Sequence, residues 1–291
     1  MTQSLLISPT DLARAIESDR PPVVVDCRFT LSDPDRGERD YLIGHIPDAA
    51  YLSLDRDLSA PVQQHGGRHP LPSIAAMEAT FSRLGIKRGV TNVVAYDDSR
   101  FAFAARLWWM LRYCGHDRVS ILDGGFPAWT AAGLPVTADV PSVEMENSFA
   151  ARTRSDWIAT REDVLAASQT GEVAIVDSRS PARYRGETEP IDPYAGHVPG
   201  AIERFWQGVT DETGAALPAA AQRQRWDAIA DCERAIVYCG SGVTACVNLL
   251  SLELAREADP AMPTVAQLYA GSWSDWCSYA VSNDDPTIAR G

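Results

Sequence analysis

The chain has 291 residues, 45% of them hydrophobic and 22% charged, the composition of a soluble globular protein with room for two domains. Its net charge of −13 argues against a binding mode built on Lys and Arg neutralising phosphates, so no nucleic-acid partner is expected. No run approaches the roughly 18–20 apolar residues of a membrane span, and residues 1–7 hold neither a basic region nor a long apolar core, so neither a membrane partner nor a secretory leader is expected.

In chain order, helical periodicity at 10–18 leads into a β-branched strand at 23–26. A helix at 74–84, a strand at 92–96, a helix at 103–113 and a strand at 119–122 come next. The stretch 138–155, with Pro141, Ser142, Glu144, Glu146 and Asn147, has little periodicity and contains the linker. Beyond it come a helix at 160–168, a strand at 174–177, a helix at 219–230, a strand at 235–238, a helix at 244–258 and a strand at 266–269. Apolar strands alternating with helices predict an α/β fold, each sheet mostly parallel and flanked by helices.

The two halves repeat each other. Val23-Val24-Val25-Asp26-Cys27-Arg28 returns as Ala174-Ile175-Val176-Asp177-Ser178-Arg179, and Gly44-His45-Ile46-Pro47 as Gly196-His197-Val198-Pro199. Val93-Val94-Ala95-Tyr96-Asp97 returns as Ala235-Ile236-Val237-Tyr238-Cys239. Leu122-Asp123-Gly124-Gly125-Phe126 returns loosely as Leu268-Tyr269-Ala270-Gly271-Ser272. The blocks keep their order, so the chain is read as two copies of one domain, 1–140 and 156–291, joined by 141–155.

The copies differ most after the strand at 235–238. There Cys239-Gly240-Ser241-Gly242-Val243-Thr244 precedes a helical pattern, where the first copy has Asp97 and no glycines. Glycines allow a tight turn, and backbone N–H groups at a helix start can cradle an anion. A thiol there is expected to ionise readily, which makes Cys239 the candidate nucleophile. The other cysteines, Cys27, Cys114, Cys232, Cys246 and Cys277, form neither a disulfide framework nor a Cys-x-x-Cys pair and are expected to pack as small hydrophobes in a reducing, cytoplasmic setting. A cysteine phosphatase needs an arginine six positions on; that position is Ala245.

Tandem copies, the Val-Asp-x-Arg strand, the Gly-His-x-Pro motif and one loop cysteine in the second copy together resemble the tandem-domain rhodanese-type sulfurtransferases. The resemblance implies two rhodanese-like domains, the first lacking the active cysteine, and transfer of a sulfane sulfur through a Cys239 persulfide without metal or organic cofactor. The loop is similar to that of the 3-mercaptopyruvate sulfurtransferases; a thiosulfate sulfurtransferase is the alternative, and a sulfur-relay module without small-molecule turnover a second. The resemblance assigns Cys239, Ser241 and Thr244 to catalysis. The loop from Gly240 through Ser241, Gly242 and Val243 to Thr244 would cradle the persulfide. Arg183 matches the first of two arginines that bind the donor; the second falls where this chain has Ile191, and Arg185 is the candidate replacement. A serine–histidine–aspartate proton relay is matched by Ser241 and His45, with Asp33 and Asp35 as candidate acids. The competing structural reading of His45 and His197 is a shared turn hydrogen bond. Arg68-His69-Pro70-Leu71-Pro72 is a further candidate for lining a cleft between the copies. The implied partners are a small-molecule sulfur donor and a small thiol, cyanide or thioredoxin-like acceptor.

Overall fold

The computed structural model describes residues 4–141, 148–230, 232–260, 265–282 and 285–291. They form two compact units. The first comprises Met1–Ala60, Leu71–Arg154 and Thr210–Ala216; the second comprises Pro61–Pro70, Ser155–Val209 and Leu217–Gly291. Neither unit is one contiguous stretch, unlike the expected 1–140 and 156–291, because each takes in a loop from the other half of the sequence. Of the expected linker 141–155, residues 142–147 lie outside the described residues. Part of the remainder packs on the first unit, where Phe149 N–H donates to Ser82 Oγ (2.8 Å) and Ala151 N–H to Glu78 Oε1 (2.7 Å).

The first unit runs β1 (Leu6–Ile7), α1 (Pro9–Ile16), β2 (Val23–Asp26), α2 (Arg36–Ile43), β3 (Ala50–Tyr51), α3 (Ile74–Arg83), β4 (Val93–Tyr96), α4 (Ala104–Tyr113), β5 (Val119–Leu122) and α5 (Gly125–Ala131). Its strands form a parallel sheet in the order β1-β5-β4-β2-β3. The second unit runs α6 (Arg161–Thr170), β6 (Ala174–Asp177), α7 (Pro181–Tyr184), β7 (Ala201–Glu203), α8 (Ala219–Arg225), β8 (Arg234–Tyr238), α9 (Ala245–Ala258), β9 (Val265–Leu268) and α10 (Ser272–Cys277). Its parallel sheet has the order β7-β6-β8-β9. The two-residue strands β1 and β3 are too short to show a period of two, so sequence patterning passes over them. The helix expected over 219–230 breaks at Arg225, where the buried Trp226 leaves helical geometry and its Nε1 donates to Ser251 Oγ (3.0 Å).

The repeated motifs are a repeated buried device. In β2 and just beyond it, Arg28 chelates Asp26 and donates to Gly44 O (2.7 Å). Beyond β6, Arg179 chelates Asp177 and donates to Gly196 O (2.6 Å). A tyrosine completes each set: Tyr96 OH receives the Ile46 N–H (3.2 Å), and Tyr238 OH the Val198 N–H (3.1 Å). Thus Val-Asp-x-Arg and Gly-His-x-Pro are two ends of one clamp, which ties the central strands to the loop entering β3 or β7. A buried ion pair is tolerable only when hydrogen bonds satisfy both partners in this way. Burial works against the Arg179 charge, but Asp177 and Glu189 outweigh it and hold the guanidinium protonated.

Candidate functional site

β4 and β8 are interior strands of their sheets, and the residue after each lies at the strand's C-terminal end, where open α/β sheets bind ligands. After β4 that residue is Asp97. Its buried carboxylate accepts backbone N–H bonds from Ser99 (2.8 Å), Phe101 (3.1 Å), Phe103 (2.9 Å) and Ala104 (2.9 Å). Four donors on one carboxylate show that this strand-to-helix turn can gather N–H groups around an anion. After β8 the residue is Cys239. Asp97 O accepts from Phe126 N–H (2.8 Å), and Cys239 O accepts from Trp273 N–H (3.0 Å), so the two stand in corresponding places.

Cys239 is only 2% exposed, and its N–H donates to Ser272 Oγ (3.1 Å). Ser274 N–H donates to Gly240 O (2.9 Å), so α10 holds the start of the loop by two adjacent amides. Gly242 has φ +77°, and a Cβ there would stand 2.2 Å from Ala270 O; only glycine fits. Val243 is buried and its carbonyl accepts Cys246 N–H (3.1 Å). Thr244 stands at the N-cap position of α9 without a side-chain capping bond among the described residues.

Two parts of the second unit converge on this loop. The first is the 61–70 segment. His69 Nδ1 lies 2.7 Å from Ser241 Oγ, and both side chains are buried. Ser241 therefore meets a histidine instead of capping α9. The segment is anchored on α10 and the turns around it: Gly66 N–H donates to Asp275 Oδ1 (2.6 Å), Arg68 N–H to Ser274 Oγ (3.1 Å), and His65 stacks on Tyr279 at 4.0 Å. The second part is α7 and the turn after it. Arg183 donates to both oxygens of Glu189 (Nη2 at 2.8 and 3.0 Å) and to Asp192 Oδ2 (3.2 Å), while Arg68 Nη1 pairs with Asp192 Oδ1. A Cβ built on Gly240 would lie 3.1 Å from Arg68 Nη2 and 3.4 Å from Arg183 Nη1. Two guanidinium groups thus face the residue after Cys239. Burial pushes the Asp192 carboxyl up from its ordinary 3.8; Arg68 opposes this, Glu189 adds to it, and Arg183 opposes it again.

Several expected site residues stand elsewhere. His45 belongs to the first unit, is fully buried, stacks on Tyr41 at 3.9 Å, and has Nδ1 2.7 Å from Tyr41 O and Nε2 3.1 Å from Asp139 O. His197 repeats this, with Nδ1 2.7 Å from Tyr184 O and a 3.9 Å stack. Both histidines secure the Gly-His-x-Pro turn, so the histidine beside Ser241 is His69 and not His45. Asp33, paired with Arg39 (2.5 Å), and Asp35, preceding α2, are surface residues of the first unit. Arg185 is turned outward onto Glu187 (2.7 Å). The 172-residue separation of His69 and Ser241 leaves no local spacing signal; the repeat draws attention instead to the histidines it duplicates.

The chemistry available here is that of a thiol in the loop before α9, with a hydroxyl–imidazole pair and two cations on the same loop. It can supply a nucleophile, move a proton and hold an anion. No helix among the described residues is long and apolar enough to cross a membrane.

A model of the rhodanese-like domain matches residues 8–132 and again 160–279. The chain is 40% identical over 281 residues to a probable 3-mercaptopyruvate sulfurtransferase of Pseudomonas aeruginosa, covering 95% of this chain and 96% of the other. It is 39% identical over 293 residues to a putative thiosulfate sulfurtransferase of Mycobacterium tuberculosis, covering 99% and 97%. Among solved structures it is similar to SseA from Escherichia coli, described with the 3-mercaptopyruvate sulfotransferases (29% identity, TM-score 0.78, 94% and 100% covered). With both halves matched in order, the chain belongs to the family of rhodanese-like domain proteins.

Proposed function

We propose that this sulfurtransferase takes the thiol sulfur of 3-mercaptopyruvate onto Cys239, where it becomes the sulfane sulfur of a persulfide, and passes it to an acceptor. The observation that carries the reading is the convergence of Ser241–His69 and Arg183 on the Cys239–Gly240 turn. The Cys239 thiolate attacks the donor sulfur. The carbon–sulfur bond breaks, its electron pair passing to the enolate of pyruvate, which the keto group stabilises. The proton of the donor thiol moves to the enolate carbon, with Ser241 and His69 as carriers, so pyruvate and an anionic Cys239 persulfide result. Arg183 holds the donor carboxylate, and the loop amides from Gly240 to Thr244 steady the persulfide as the Asp97 carboxylate is steadied in the first unit. Cyanide, a small thiol or a thioredoxin-like protein thiol then attacks the outer sulfur, and the sulfur–sulfur bond breaks with its electrons returning to Cys239. The free thiols suit a reducing, cytoplasmic setting.

The two guanidinium groups over Gly240 also favour a second donor, the thiosulfate dianion, which would leave sulfite. Kinetics with both donors decide between them: a higher kcat/KM for 3-mercaptopyruvate is expected, and a strong preference for thiosulfate overturns the donor assignment. Mass spectrometry after donor treatment should find about 32 Da, one sulfur, added at Cys239 and absent in Cys239→Ser. No adduct with either donor would falsify the persulfide reading.

A further inference from the structure

We infer that Arg68 is the second arm of the seat that holds the donor's carboxylate, replacing the arginine that this chain lacks at Ile191. The inference deepens the persulfide reading and rests on it. Each guanidinium divides its nitrogens between two directions. Arg183 turns Nε and Nη2 to Glu189 and Asp192, and Arg68 turns Nη1 to Asp192. The other terminal nitrogens, Arg68 Nη2 and Arg183 Nη1, lie nearest the Gly240 Cβ position, at 3.1 and 3.4 Å, with Arg183 Nη2 next at 3.6 Å. Asp192 already demonstrates that one carboxylate can span this pair, with Oδ1 on Arg68 and Oδ2 on Arg183. A donor carboxylate over Gly240 would use the opposite edges of the same two forks, beside Cys239. That geometry suits arginine, whose planar fork can serve two anions at once, better than lysine.

The position of Arg68 is fixed by the same element that fixes the loop. Ser274 Oγ accepts the Arg68 N–H (3.1 Å), and the Ser274 N–H donates to Gly240 O (2.9 Å), so one serine holds both sides of the seat. Gly67, at φ +81°, brings the chain so close to α10 that a Cβ there would stand 2.3 Å from Gly271 O. The Arg68 side chain is 29% exposed and that of Arg183 17%, so both are screened from bulk water yet open to a small anion. Ile191, by contrast, is 52% exposed and offers no cation.

Arg68→Gln is expected to raise KM for 3-mercaptopyruvate about 10-fold or more with kcat changed less than about 3-fold, since a charge-assisted contact to the bound donor is lost. The inhibition constant of pyruvate, a 2-oxo acid without the thiol, should rise in parallel. Adding Ile191→Arg to Arg68→Gln should recover most of the lost affinity, a rescue that a merely structural role for Arg68 does not give. Thermal unfolding of each variant reports whether the fold is kept; if Arg68→Gln is unstable, Arg68→Lys is measured by the same criteria. An unchanged KM and pyruvate inhibition constant, or no rescue by Ile191→Arg, overturns the inference. Wild-type persulfide formation tests the underlying function separately, so the two failures are distinguishable.

Discussion

Three side chains carry the chemistry proposed here, Cys239 and Ser241 on the turn and His69 beside it. Cys239→Ser removes the sulfur carrier altogether. His69→Asn keeps a polar side chain beside Ser241 but cannot relay the proton; kcat should fall about 100-fold or more while KM for the donor moves little, as read by steady-state kinetics. The same loss is expected for Ser241→Ala. His45→Asn is a contrasting variant: it should lower the unfolding temperature of a protein whose kcat per folded molecule is preserved, because the buried His45 ring sits between the carbonyls of Tyr41 and Asp139, within hydrogen-bond distance of each. The background thiols are poor competitors for sulfur. Burial pushes Cys114 and Cys277 up to about 12 and Cys27 well above its ordinary value, so at pH 7 these three stay protonated.

At the scale of elements, the loop between β8 and α9 depends on close backbone approach and the sheet on the Asp–Arg clamp. Gly242→Ala would require left-handed backbone and place a methyl against Ala270 O; a stability loss of about 2 kcal/mol or more is expected in chemical unfolding, with the Cys239 turn displaced. Asp177→Asn removes the charge facing the buried Arg179. Breaking a buried pair from one side costs about 3–5 kcal/mol, and Glu189, 3.2 Å from Arg179, is the remaining carboxylate. Since Glu189 also holds Arg183, the variant should raise KM for the donor as well as lower stability, a coupling that steady-state kinetics and denaturant titration check together.

Across the whole molecule, one architecture occurs twice with one proposed nucleophile. The first unit fills its turn with the Asp97 carboxylate; the second leaves the corresponding residue as a thiol. Two buried histidines tie stability to pH. Burial lowers His116, whose Nδ1 accepts the Gly89 N–H (3.0 Å), and His197, below the ordinary 6.5. The unfolded chain takes up protons at these sites below about pH 6.5 and the folded chain resists, so their contribution is complete above 6.5 and declines as pH falls. His116→Asn isolates the effect: the unfolding-temperature advantage of the wild type over this variant should be largest near pH 8 and shrink toward pH 5.5. A constant gap would contradict it.

The α/β class, the doubling of the domain and the place of Cys239 were legible in the linear order of residues, because periodicity, glycine turns and repeated motifs are local signals. The structural reading of Gly-His-x-Pro was available from its duplication, but it stood beside the proton-relay reading of His45. Only the tertiary structure decided what surrounds the turn. His69 and Arg68, named from the sequence only as candidates for lining a cleft, reach it from the 61–70 segment, which is remote in sequence and absorbed into the second unit, and no spacing rule links them to Ser241 or Gly240. Arg185 was the nearest cation in sequence to the position lost at Ile191, yet its side chain turns to Glu187 in solvent, so the proposed replacement came from chain that folding, not sequence proximity, brings to Cys239.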